Sequence, residues 1–117
     1  MRDSQRKGDI AVTQAISTFT RLGWDVSIPI TESAKYDLVV DIEGIIKRVQ
    51  VKYMGSDRVD LRNIHSNGRG YVIKKAGDND YDWLYIYRID GREYLIKECL
   101  VGRNSIAPQT IQLLGSN

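Results

Sequence analysis

Three polar residues stand out by type and spacing: Asp37, Gln50 and Lys52. Asp37 lies in the run Tyr36–Ile42 (YDLVVDI), and the other two lie in Ile45–Tyr53 (IIKRVQVKY). Both runs are rich in β-branched residues and flank Glu43-Gly44, which predicts the two strands of a hairpin. In an antiparallel pair the start of the first strand lies beside the end of the second, so Asp37 and Lys52 should be neighbours although 15 positions apart. Two-residue alternation puts Ile46, Arg48, Gln50 and Lys52 on one face, and Ile45, Lys47, Val49, Val51 and Tyr53 on the other. The Asp37 carboxylate, the Gln50 amide oxygen and the Val51 carbonyl form a donor set suited to Mg²⁺, which uses few protein ligands and keeps several waters. Lys52 beside them would stabilise charge on a phosphate or orient an attacking water. That combination suits hydrolysis of a phosphodiester. The plainer alternative has Asp37 opening a strand and Gln50 and Lys52 facing solvent, which prevails for an isolated Asp and Q-x-K. The hairpin context, and a short chain with no rival catalytic cluster, favour the site.

The elements that must position this set follow from periodicity. Residues 9–22 predict a helix, with Val12, Ala15, Ile16, Phe19 and Leu22 on one side and Gly23 as its stop. Trp24 to Ile30 alternates like a half-buried strand, and Pro29 marks an edge or an end. Residues 31–35 form a polar loop. Val59–Ile64 is a short strand, His65–Gly70 (HSNGRG) an exposed polar loop, and Tyr71–Lys75 is ambiguous between strand and helix. Trp83–Ile89 and Glu93–Lys97 flank Asp90-Gly91 as a second hairpin, and Pro108–Leu114 could add a last strand. The fold class is therefore α+β: an N-terminal helix packed on a mixed, mostly antiparallel sheet, with residues 1–117 as a single domain.

Composition excludes several classes. The 117 residues are 42% apolar and 27% charged, an ordinary globular balance. Apolar runs are too short to span a membrane, and the opening MRDSQRKGD does not resemble a secretory signal. The lone Cys99 cannot form an internal disulfide and has no zinc-ligand spacing around it, which suggests a reducing, intracellular setting and a small buried hydrophobe. Net charge is +2, from 17 basic and 15 acidic residues, which alone argues only for a mixed surface. The basic residues do cluster, at Arg2, Arg6 and Lys7, at Lys47, Arg48 and Lys52, and from Arg58 to Lys75, whereas acids dominate from Asp78 to Asp82.

Taken together, KGDIAV (7–12), YDLVVDIEG (36–44) and RVQVKY (48–53) resemble the PD-(D/E)XK nuclease superfamily, and more narrowly its small group I intron-associated, homing-type endonucleases. The resemblance covers roughly residues 7–97 and is densest at the hairpin. It implies a restriction-endonuclease-like αβββαβ core and a Mg²⁺-dependent DNA endonuclease, with Mn²⁺ able to substitute. Asp37, Gln50 and Lys52 would be catalytic, and Asp37, Gln50 and Val51 would meet the metal. Gln50 departs from the acid in the superfamily's name; the intron-associated branch is similar in carrying Gln there. Holliday-junction resolvases of the archaeal type have a Glu four positions after the helix glycine, where this chain has Val12. Asp9, at the predicted helix start, is the candidate second acid for catalysis and metal, weighed equally against an N-cap or first-turn role; Gln14 projects almost opposite the apolar side.

Candidate DNA contacts are Lys7 before the helix, Ser33 and Lys35 ahead of Asp37, and Arg62, Asn63, His65, Ser66 and Arg69 in the glycine-rich segment, which is equally readable as an exposed loop. Trp83, Tyr85 and Tyr87 alternate as core residues rather than base-stacking platforms. One hairpin makes one cut, so a homo-dimer or homo-tetramer on double-stranded DNA is expected. The rivals are a resolvase-like nuclease acting on branched DNA and a DNA-binding module whose catalytic site has decayed, for which Gln50 is the argument.

Overall fold

A computed structural model describes residues 3–61, 63–67, 70–74, 79–102 and 105–106. Its order is helix α1 (Asp3–Arg21), then strands β1 (Asp25–Ser27), β2 (Leu38–Ile42), β3 (Ile45–Met54), β4 (Val59–Asp60), β5 (Asn63–Asn67), β6 (Gly70–Lys74), β7 (Trp83–Arg88), β8 (Glu93–Ile96) and β9 (Ser105–Ile106). The helix starts six residues earlier than the apolar pattern predicts. Positions 4–10 are all exposed, so the first turns carry no apolar stripe; Gln5, Arg6 and Lys7 are simply good helix formers. The end is as expected. Gly23 takes φ 87°, the Trp24 N–H donates to the Phe19 carbonyl (3.1 Å) and the Gly23 N–H to that of Thr20 (3.0 Å). This is a Schellman stop, sealed by stacking of Trp24 on Phe19 at 5.3 Å between centroids.

Five strands form one sheet in the order β1-β2-β3-β7-β8, with every neighbouring pair antiparallel except β3 and β7. The β2–β3 turn places Glu43 at φ 52° and Gly44 at φ 90°, the paired positive values of a two-residue hairpin, and Asp41 Oδ1 accepts from the Gly44 N–H at 2.7 Å. β1 is shorter than the alternation suggested, stopping at Ser27 ahead of Pro29. The stretch expected as the loop His65–Gly70 is instead built into a hairpin, β5 against β6. This also resolves Tyr71–Lys74 as strand. Among the described residues, the crossover from β3 to β7 thus holds strands and no helix, although the αβββαβ order has its second helix there. β9 was unforeseen; it pairs with β4. The expected strand at 108–114 lies outside the described residues.

Both faces of the sheet are covered. α1 lays Ala11, Ala15 and Phe19 on Leu38, Val40, Val49, Val51, Trp83, Tyr85 and Leu95. The opposite face packs Leu84, Ile86, Tyr94 and Ile96 beneath Val59, Leu61, Tyr81 and Leu100, with Cys99 alongside as the expected small hydrophobe. Hence β7 is apolar on both sides, and Trp83 and Tyr85 belong to the core. Among the described residues no helix is long and apolar enough to cross a membrane.

Candidate active site

The regular pairing of β2 with β3 begins at Leu38 opposite Val49, and the preceding Asp37 N–H also donates to the Val49 carbonyl, at 2.9 Å, so that two residues meet one as in a bulge. The Asp37 carboxylate reaches along β3, where its Oδ2 accepts from the Val51 N–H at 2.8 Å, and its charge acts on Lys52. Val51, expected to offer a carbonyl, contributes this N–H. Gln50 and Lys52 point away from α1, into a cavity of about 10 Å³ lined also by Lys35, Leu61, Asp80, Tyr81 and Leu84. That is room for one water-sized centre. On the other side Asp37 borders an open hollow of about 260 Å³ with Val12, Ile28, Pro29, Ile30, Tyr36 and neighbours.

The electrostatics show what the pair lacks. Burial pushes the Asp37 carboxyl above its ordinary range, against the opposing pull of the Val51 bond and the Lys52 charge. Burial pulls the Lys52 ammonium down, with Asp37 and then Asp60 pulling it back. In both groups desolvation outweighs the attraction between them. A buried carboxylate in this condition gains from a cation, and a buried ammonium gains from an anion. Asp37 with the Gln50 amide oxygen thus fits a hard divalent ion, and Lys52 with Lys35 fits a phosphate.

Arg48 holds the surroundings together. Its Nε and Nη2 donate to Asp82 Oδ2 and Oδ1 at 3.1 and 3.2 Å, and its backbone N–H donates to Oδ2 at 2.8 Å. Nη1 and Nη2 also donate to the Asn79 carbonyl (2.8 Å) and Oδ1 (2.7 Å), while the guanidinium lies 5.7 Å over the Tyr36 ring. One side chain therefore ties the residue before Asp37 to the segment that delivers Asp80 and Tyr81. Arg48, grouped by sequence with a basic cluster, is committed inside the fold.

A family model described as PD-(D/E)XK endonuclease matches residues 2–97. The chain belongs to this family. No curated protein matches it in sequence. Among solved structures, a bacterial homing endonuclease, I-Ssp6803I, is similar at 32% identity and a TM-score of 0.77, over 90% of this chain and 77% of that one. The helix on a five-stranded mixed sheet is the restriction-endonuclease-like fold expected from the sequence.

The remaining predicted positions in this PD-(D/E)XK endonuclease divide into three groups. Lys35 joins Gln50 and Lys52 in the cavity. Lys7 lies on exposed α1, its ammonium 5.8 Å over the Tyr53 ring, and Ser33 is exposed in the loop before Asp37. Asp9 is exposed, and the early helix start removes its N-cap or first-turn reading: it sits in the second turn. Among the described residues no three acidic, His or Cys side chains gather into a metal-binding group, so Asp9 is not brought together with Asp37 in such a cluster. Gln14 stays on α1, donating from Nε2 to Thr18 Oγ1 one turn along at 3.2 Å. Asn63, His65 and Ser66 lie on β5 with side chains outside the described residues, as Arg62 and Arg69 are altogether. Sequence reasoning missed Asp60, Asp80 and Tyr81. The only signal was the acidic stretch at 78–82, and nothing local connects it with Lys52.

Proposed function

We propose that residues 1–117 form one nuclease domain that hydrolyses phosphodiester bonds in DNA with a divalent metal ion, Mg²⁺ or Mn²⁺, as a homing-type endonuclease working as a homo-dimer or homo-tetramer. The observation that carries this reading is the approach of the Asp37 carboxylate to the Val51 N–H and to Lys52 at one end of a hairpin, with Gln50 sharing the Lys52 cavity. Asp37 and Gln50 would hold the ion, with the Val51 carbonyl and Asp9 as the further candidates. A bound divalent ion supplies Lewis acidity toward a phosphoryl oxygen and lowers the pKa of water. Lys52, half-buried beside Asp37, stabilises the charge that grows on the phosphate, and Lys35 grips the same group from the loop. Lys7, Ser33, Arg62, Asn63, His65, Ser66 and Arg69 would contact the duplex around it. Likeness to a bacterial homing endonuclease favours the homing reading over a resolvase. So does the apolar Val12 in the hollow beside Asp37, where a resolvase would have its Glu.

The test is nicking of a supercoiled plasmid and of a four-way junction in Mg²⁺ or Mn²⁺, wild type beside Lys52→Ala. Nicking of the plasmid that disappears in the variant is the expected result. A preference for the junction would favour the resolvase, and binding without cleavage under every divalent ion would favour the decayed module.

A further inference from the structure

The loop between Ser27 and Asp37 carries an apolar tip with nothing to cover it. Ile30 is 99% exposed and Ile28 60% exposed, with Pro29 between them restricting the backbone. Isolated exposed apolar residues are common; adjacent ones on a proline-braced tip beside a reacting centre are less so. Both isoleucines border the hollow that also contains Asp37, while Lys35, on the same loop, lines the cavity of Gln50 and Lys52. One loop thus offers a cation at its base and an apolar point at its tip, on either side of the candidate metal ligand. Of the other exposed isoleucines, Ile45 and Ile46 lie beside the β2–β3 turn, at the far end of those strands from Asp37 and Gln50.

On the nuclease reading, on which this inference rests, a duplex whose phosphate reaches Asp37 comes up to the rim of the hollow that Asp37 shares with Ile28 and Ile30. Of the parts of DNA, phosphate is a poor partner for Ile30, and the adjoining Glu32 carboxylate repels it. The apolar partners on offer are sugar C–H groups and the faces of an opened base step. A hollow of about 260 Å³ keeps Ile30 close to Asp37. We propose that the Ile28-Pro29-Ile30 tip is an apolar wedge that enters the groove beside the cleaved phosphate and opens a neighbouring base step. Pyrimidine–purine steps, which unstack most easily, are the expected sites.

The test uses Ile30→Ala and Ile30→Met in full-length protein, with thermal unfolding, nicking rate and sedimentation measured for each. A parallel set in the Lys52→Ala background binds uncut duplex carrying 2-aminopurine within about three nucleotides of the mapped cleavage site. The wedge predicts a fluorescence rise on binding that Ile30→Ala loses and Ile30→Met keeps. It also predicts a roughly tenfold slower nicking rate for Ile30→Ala, with the unfolding temperature unchanged. Equal fluorescence and nicking in Ile30→Ala overturn the wedge while leaving the nuclease intact. A loss of oligomers in Ile30→Ala, with base stacking undisturbed, overturns it in favour of a contact between copies. A wild type that neither nicks nor binds DNA removes the nuclease reading and the wedge with it.

Discussion

Replacing Arg48 with Gln tests whether the site's two walls are held from within. The change removes the two guanidinium bonds to Asp82 and the two to Asn79, and leaves the backbone N–H bond to Asp82 in place. A protected charge-assisted bond contributes about 1.5–3 kcal/mol and an exposed ion pair about 0–1 kcal/mol. The Arg48 and Asp82 side chains are 27% and 33% exposed, between those limits. Adding the stack on Tyr36, and subtracting one bond that Gln can remake, leaves a cost of about 2 kcal/mol at neutral pH. The cost should depend on pH. Arg48's side-chain bond is the main cause that holds the Asp82 carboxyl below its ordinary range. Its contribution is therefore complete above the unfolded carboxyl pKa of about 3.9 and is lost as pH falls through the lower folded value. Urea unfolding followed by Trp83, which adjoins Asp82, should show a gap between wild type and variant at pH 7 that narrows in strong acid. DNA binding should keep its salt dependence, because the guanidinium is not spent on phosphate; a phosphate contact would contribute about one unit of slope. A gap of the same size at both pH values, or a salt slope that falls by a unit, would refute the clamp.

Two other substitutions probe the cost of function and the seating of the helix. Asp37→Asn should abolish nicking yet raise the unfolding free energy of the metal-free protein by about 1 kcal/mol at neutral pH. Asp37 has a raised folded pKa, so its stabilisation is present below the unfolded pKa and lost as pH rises through the folded one. The amide oxygen can still accept from Val51, and denaturant melts without divalent ions decide the matter. Tyr85→Phe removes the bond from the Tyr85 hydroxyl to Glu93 Oε1 at 2.6 Å, in a network that also takes a bond from Thr18 on α1. Burial and then Glu93 push that phenol far up, so it stays a donor at any working pH. The loss should be about 1 kcal/mol, visible in the thermal midpoint and unchanged from pH 6 to pH 9.

Local pattern alone determined a good deal. Phe19 and Ala15 on a helical stripe, Gly23 as its stop, Glu43-Gly44 between alternating runs and Asp90-Gly91 after them each specify their own neighbourhood, because burial and turn chemistry act over a few residues. The approach of Asp37 to Val51 and Lys52 was also legible, since a tight turn brings the start of one strand beside the end of the other. What escaped was of two kinds. The first turns of α1 are exposed on every side, so no stripe reveals them, and the chain at 65–70 hid a hairpin behind loop-like composition. The other kind is long-range. Parallel pairing of β3 with β7 brings Asp80 and Tyr81 to Lys52, draws Arg48 into Asp82 and closes the cavity. Nothing beside Lys52 in the chain names those partners. Only the packed sheet decides them, because a crossover connection leaves register to be set by the whole set of buried contacts rather than by a turn.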